Sequence, residues 1–284
     1  MIDGSERRIA LADFSLTAQS WGEPDAPPLL AVHGWLDNAG SFARLAPLLA
    51  AHFHVIALDL PGHGHADHLP PGASYHYTDY VQALLAAMDA LQLDSCVLLG
   101  HSLGAGVASL AAAAAPARVS RLLLIEGLGP LADDGTATLT RFRAALAPPT
   151  PSKPLRLFRD VDQAVSARSI ASGLRPELAR PIVERALRQD GDGWRWHSDP
   201  RLTRASALRM TESQVRALLR GIEAPTSLLL AQPATSYLPD ALMQERAAGV
   251  ARIAISHMAG GHHLHLEHPQ AVAEWIMARV AQES

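Results

Sequence analysis

Cysteine is almost missing from this sequence: Cys96 is the only one in 284 residues. A single thiol excludes an intrachain disulfide, and its place in the apolar run SCVLLG reads as an inert core thiol. Long apolar stretches are missing too. The most apolar helix-like run, VASLAAAAA at 107–115, is far too short to span a bilayer. The opening MIDGSERRIALADF lacks the apolar core of a secretory signal. These absences make a reduced, cytoplasmic protein with no membrane span the expectation. Charge is scarce as well, with charged residues at 18% and a net charge of −4. That balance gives no overall pull toward nucleic acid or an anionic membrane. Hydrophobic residues reach 48%, enough to bury a substantial core.

What is present is an alternation of short apolar runs and helical segments. RRIALADFSLTAQSW (7–21) reads as two strands or a hairpin. PLLAVHG (28–34), HVIALDL (54–60), SCVLLG (95–100), RLLLIEG (121–127), TSLLLAQ (226–232) and ARIAIS (251–256) read as buried strands. Helical patterns fall at 78–91, 102–115 and 269–280. Strands that alternate with helices imply a mostly parallel sheet with helices on its faces.

Residues 131–221 differ in character. They carry 16 of the 24 basic residues but only 10 of the 28 acidic ones, a formal charge of +6 against −10 elsewhere. They also hold APPTPSKP, isolated helical patches and the aromatic stretch GWRWHSDP. We read them as a helical cap inserted into a core made of 1–130 and 222–284. The positive charge is either a solvated helical surface or a substrate path that favours anionic groups.

The chemistry centres on VLLGHSLGAG at 97–106, which contains G-H-S-L-G. An apolar strand precedes the motif and a small-residue helix follows. A serine forced into a sharp strand-to-helix turn needs neighbours without bulk, and Gly100 and Gly104 supply that room. Such a turn lifts the Ser102 hydroxyl above the sheet.

The chain here resembles the α/β-hydrolases, and within them the serine hydrolase-like group. The matching stretches are HGWLDNAGSF at His33–Phe42, DLPGHG at 59–64, GHSLG at 100–104 and GGHHLHLEHP at 260–269. The resemblance implies an eight-stranded, mostly parallel sheet flanked by helices, with a helical cap. It implies a serine nucleophile, Ser102, and a histidine base after the last strand. Five histidines lie there: His257, His262, His263, His265 and His268. The family pattern places the base directly after a glycine, which selects His262, with His263 as its neighbouring rival.

The imidazole needs a carboxylate to hold its tautomer. In many relatives the acid follows the penultimate strand, but LLLAQPATSYLP at 228–239 has none. Some relatives place it one strand earlier, where Glu126 stands. Asp133, Asp134 and Asp240 are rivals for this role. Asp59 precedes Ser102 and opens the PGHG turn, so it reads as a turn-stabilising group. The resemblance also implies backbone amides of Trp35 and Leu103 as an oxyanion site. His33, Gly34, His101, Trp194 and Trp196 are the expected substrate-binding residues.

The expected activity is cleavage of a small-molecule carboxylic ester or thioester through an acyl-enzyme, with no cofactor and no metal. A carbon–carbon bond hydrolase of the same fold uses similar residues. A second motif, HGHADH at 63–68, carries the H-x-H-x-D-H spacing of zinc hydrolases through His63, His65, Asp67 and His68. Pro70 and Pro71 follow it closely, where that class would start a helix. A non-catalytic binding protein of the hydrolase fold is the remaining alternative.

Overall fold

The computed structural model describes residues 4–147 and 156–281. Its strands are β1 (Ser5–Ala10), β2 (Ser15–Trp21), β3 (Pro28–Val32), β4 (His54–Asp59), β5 (Cys96–His101), β6 (Val119–Ile125), β7 (Leu187–Asp190), β8 (Gly193–Trp196), β9 (Thr226–Gln232) and β10 (Ile253–Ala259). Eight of them form one sheet in the order β1-β2-β4-β3-β5-β6-β9-β10. The β1–β2 and β2–β4 pairs are antiparallel, and the pairs from β4 to β10 are parallel.

The continuous apolar runs follow from burial on both faces. Along β3 and β6 the side chains alternate between two cores. Leu30, Val32, Leu122 and Leu124 pack against α2 (Tyr77–Ala90), α3 (Leu103–Ala114) and α8 (Asp240–Ala247). Leu29, Ala31, Leu123 and Ile125 pack against α1 (Ala46–Leu49) and α10 (Pro269–Ala281). Cys96 is a free, buried thiol that burial pushes up to about 12.

Between β6 and β9 lie α4 (Thr138–Leu146), α5 (Val161–Ser172), α6 (Pro176–Ala186), the β7–β8 hairpin and α7 (Glu212–Leu219). The aromatic stretch GWRWH is therefore half of a hairpin. Trp194 and Trp196 pack with Phe158, Val165 and Val183 in a small core of this segment's own. One expected boundary shifts. α7 falls inside 131–221, yet its Val215 and Leu219, one turn apart, join the sheet's core beside α3.

The segment is tied to the loops after β3 and β4. Asn38 donates to the Ile182 carbonyl at 2.8 Å, and the Trp35 indole donates to the Leu202 carbonyl at 3.0 Å. The strongest tie is at Asp59, whose part is larger than a turn. Its buried carboxylate accepts from the amides of Ala39 and His65, from the Thr17 hydroxyl, and from Arg185 of α6 at 2.7 Å. Burial pushes this carboxyl up, but the Arg185 guanidinium and the other donors outweigh it and hold it below its ordinary range. Arg185 also reaches Glu6 at 2.6 Å. Asp59→Ala would leave a buried guanidinium short of its main partner. The expected cost is about 3–5 kcal/mol, read as a lower urea midpoint. A loss under 1 kcal/mol would mean that Glu6 alone can neutralise Arg185.

Candidate active site

The site starts at the end of β5. Ser102 takes φ 52° and ψ −112°, a strained turn between β5 and α3. The flanking glycines are obligatory by contact. A Cβ on Gly104 would stand 2.0 Å from the Val32 carbonyl oxygen, and one on Gly100 would stand 2.5 Å from that of Gly104. The Ser102 amide donates to Ile125 at 3.0 Å, which ties the turn to β6.

β6 delivers Glu126 to the next position along the sheet's rim. Four non-glycine residues among those described have positive φ: Leu36, Gln92, Ser102 and Glu126. Leu36 adjoins Trp35, so three of the four surround one site, a clustering of backbone strain that makes it the candidate functional site. The Glu126 carboxylate is almost fully buried and well partnered. Oε1 accepts from the Ala231 amide at 2.6 Å. Oε2 lies 3.0 Å from His262 Nδ1 and 3.3 Å from the Thr235 hydroxyl. An ionised carboxylate only accepts, so the ring proton belongs on Nδ1 and the Nε2 lone pair stays free.

Ser102, His262, Glu126, Gly34, Trp35 and Leu103 share the wall of one cavity of about 940 Å³. Among the described residues the Ser102 hydroxyl has no hydrogen-bond partner. Catalytic hydrogen bonds of this kind commonly close only when substrate is bound. The amides of Trp35 and Leu103 also lack partners among the described residues, which suits donors kept for a developing oxyanion.

A buried histidine cluster braces the His262 loop. His101 Nε2 donates to the His262 carbonyl at 2.8 Å. His265 Nε2 and the Ser41 hydroxyl are 2.6 Å apart. Asp37 sits 3.3 Å from His263 Nε2 and 2.5 Å from Arg168 of α5. Burial pushes the Asp37 carboxyl up, but His263, Arg168 and His101 hold it far below its usual range. Burial and the neighbouring rings keep His101 neutral. His101 thus lines the cavity mainly as a positioning group for His262.

The expected substrate-binding set is corrected in three places. Trp194 and Trp196 are half-buried, pack against the α5–α6–hairpin core and do not line the cavity. His33 is fully buried, with Nδ1 donating to the Gly34 carbonyl and Nε2 accepting from the Leu60 amide. It shapes the turn and does not touch the cavity. Asp37, Arg168, Thr235 and Tyr237 do line it, and none was expected to. Asp37 had a signal: it is the acid inside HGWLDN. The other three lie in stretches with no pattern to mark them.

The H-x-H-x-D-H motif does not converge. His65 pairs with Glu6, Asp67 with Arg8, and His68 with the His197 carbonyl, while His63 turns back to the Pro61 carbonyl. Among the described residues the one His/Asp set within metal-ligand reach is Asp37, His101 and His263. Its carboxylate oxygens are already committed to Arg168 and His263, so the set acts as a brace.

Comparison with known proteins settles the family. A family model described as the alpha/beta hydrolase fold matches residues 27–170. The chain belongs to the α/β-hydrolase fold family. A probable serine hydrolase of Drosophila melanogaster is 30% identical to this hydrolase over 96% of the chain and 86% of its own length. A hypothetical protein of Pseudomonas aeruginosa PAO1 superposes with a TM-score of 0.89 at 37% identity, covering 98% of this chain and 99% of its own. A thioesterase domain from the curacin biosynthetic pathway gives 0.84 at 26% identity, covering 96% and 99%. No described helix of the hydrolase is long and apolar enough to cross a membrane. Among its rival acids, Asp240 lies 3.2 Å from His257, and Asp134 is spent on Thr136.

Proposed function

We propose that the hydrolase cleaves carboxylic esters or thioesters through an acyl-enzyme on Ser102. The observation that carries this reading is the 3.0 Å contact between His262 Nδ1 and Glu126 Oε2, on the wall shared with Ser102. In the acylation step His262 Nε2 takes the Ser102 proton while Oγ attacks the substrate carbonyl. Charge develops on the carbonyl oxygen, and in this reading the Trp35 and Leu103 amides stabilise it. Glu126 stabilises the imidazolium that forms. The imidazolium then protonates the leaving alcohol or thiol, and the carbonyl reforms as an ester of Ser102. Water repeats the cycle: Nε2 takes its proton, hydroxide character adds to the acyl carbon, and Ser102 leaves with that proton. No step calls on a cofactor.

The segment between β6 and α7 would serve as the cap, since it supplies Arg168 and Arg201 to the cavity wall. Likeness to the curacin thioesterase domain supports including thioesters in the substrate set. The test is a fluorophosphonate probe followed by peptide mapping, alongside p-nitrophenyl esters of graded chain length and acyl-CoA thioesters. Label on Ser102 and turnover of at least one class are expected. An unlabelled protein that turns over none of these would favour the binding-protein alternative.

A further inference from the structure

Four arginines and two carboxylates line the cavity. Both carboxylates are committed, Glu126 to His262 and Asp37 to Arg168 and His263. Two of the arginines are committed as well. Arg168 is held by Asp37. Arg201 is held by Asp199 at 2.6 Å and by the carbonyls of Leu69, Pro70 and Ala73. Arg204 and Arg209 are left, and among the described residues neither guanidinium has a carboxylate or hydrogen-bond partner. Arg204 and Arg209 share the cavity wall with Tyr75, Tyr77 and Tyr80.

An unpaired guanidinium at an open surface is solvated by water and selects nothing. Arg204 and Arg209 are exposed, but both stand in the wall of one concave site whose carboxylates are already paired, and a cleft lined by unpaired charge of one sign focuses its field on an entering anion. Their planar donor sets match the oxygens of carboxylate and phosphate.

We propose that Arg204 and Arg209 form an anion subsite that selects substrates carrying a carboxylate or phosphate remote from the scissile carbonyl. The proposal rests on the ester and thioester reading above. The anion has two possible sources, a carboxylate at the far end of the acyl chain or the phosphates of a CoA leaving group. Both present oxygens to the same pair of arginines.

Two matched substrate pairs separate the sources. The mono-p-nitrophenyl ester of glutarate is compared with p-nitrophenyl valerate, and butyryl-CoA with butyryl-N-acetylcysteamine. The enzyme is tested as wild type and as the Arg204→Gln/Arg209→Gln double variant. The anionic-to-neutral ratio of kcat/KM should fall about 10-fold or more in the double variant, chiefly through KM, for one pair. An unchanged ratio in both pairs would overturn the subsite. Calorimetric titration with glutarate and with CoA gives a readout that needs no turnover. Wild type should bind one of them, more weakly in 0.5 M NaCl and at least about 10-fold more weakly in the double variant. If no ester or thioester is turned over but this binding pattern holds, the reaction fails and the anion subsite stands. If turnover is seen but neither anion binds and both ratios are flat, the subsite fails alone.

Discussion

Ser102→Ala is expected to lower turnover by on the order of 10⁴-fold or more, with the urea midpoint and circular dichroism close to wild type. The size of the loss follows from the proposed mechanism. Removing Oγ removes the covalent route, and only binding and the two free amides remain to assist water. The fold should survive because the turn is held by its backbone and by Gly100 and Gly104. Glu126→Gln should cost at least about 10²-fold, because an amide can present its NH₂ to Nδ1 and impose the wrong tautomer. Asp240→Asn and Asp134→Asn are the controls, since their carboxylates serve His257 and Thr136. A fully active Glu126→Gln enzyme beside an inactive Asp240→Asn one would move the acid elsewhere. A Ser102→Ala enzyme within 10-fold of wild type would remove the covalent mechanism altogether.

How much of this site could be read in advance depended on whether a residue's partners lay nearby in sequence. Ser102 is marked by its own neighbours, because the strained turn needs two glycines at fixed spacing. Glu126 stands out because a carboxylate directly ends the apolar run LLLI at 122–125, and such a group needs a partner. The parallel strands are legible for the same local reason, as runs buried on both faces. Asp59 and Arg185 show the opposite case. They are 126 positions apart, and nothing in PGHG or in the α6 sequence indicates that an arginine enters the core. Trp194 and Trp196 invited a substrate role because large aromatics suit binding pockets. Here they are half-buried and cover the small core formed by Phe158, Ala164, Val165, Val183 and Leu187. α7 carries cap-like charges on one side, so its Val215–Leu219 face was hard to separate from the surrounding helices.

Acid should destabilise this protein well above the range where carboxylates titrate. Burial keeps His33, His63, His101 and His265 neutral in the native state, with His63 and His265 pulled down to about 3 and His101 well below its ordinary value. The sign follows from linkage. A histidine whose native pKa lies below its unfolded value of about 6.5 takes up a proton on unfolding. Its contribution to stability is complete above that value and is lost as pH falls through 6.5 toward the native pKa. Each such group contributes a slope of up to about 1.4 kcal/mol per pH unit. Three acting together would remove roughly 4 kcal/mol between pH 7.5 and 5.5, a large share of the 5–15 kcal/mol typical of a folded domain. Asp37 and Asp59 do not blur this window. Their native pKa values are depressed, so their contributions persist until pH falls below about 4. Urea unfolding at the two pH values measures the difference, and His63→Gln should reduce that difference by about 1.4 kcal/mol, a third of the total. Equal midpoints at pH 7.5 and 5.5 would mean that these imidazoles are already charged in the native protein. In that case the neutral brace drawn around His262 could not stand as described.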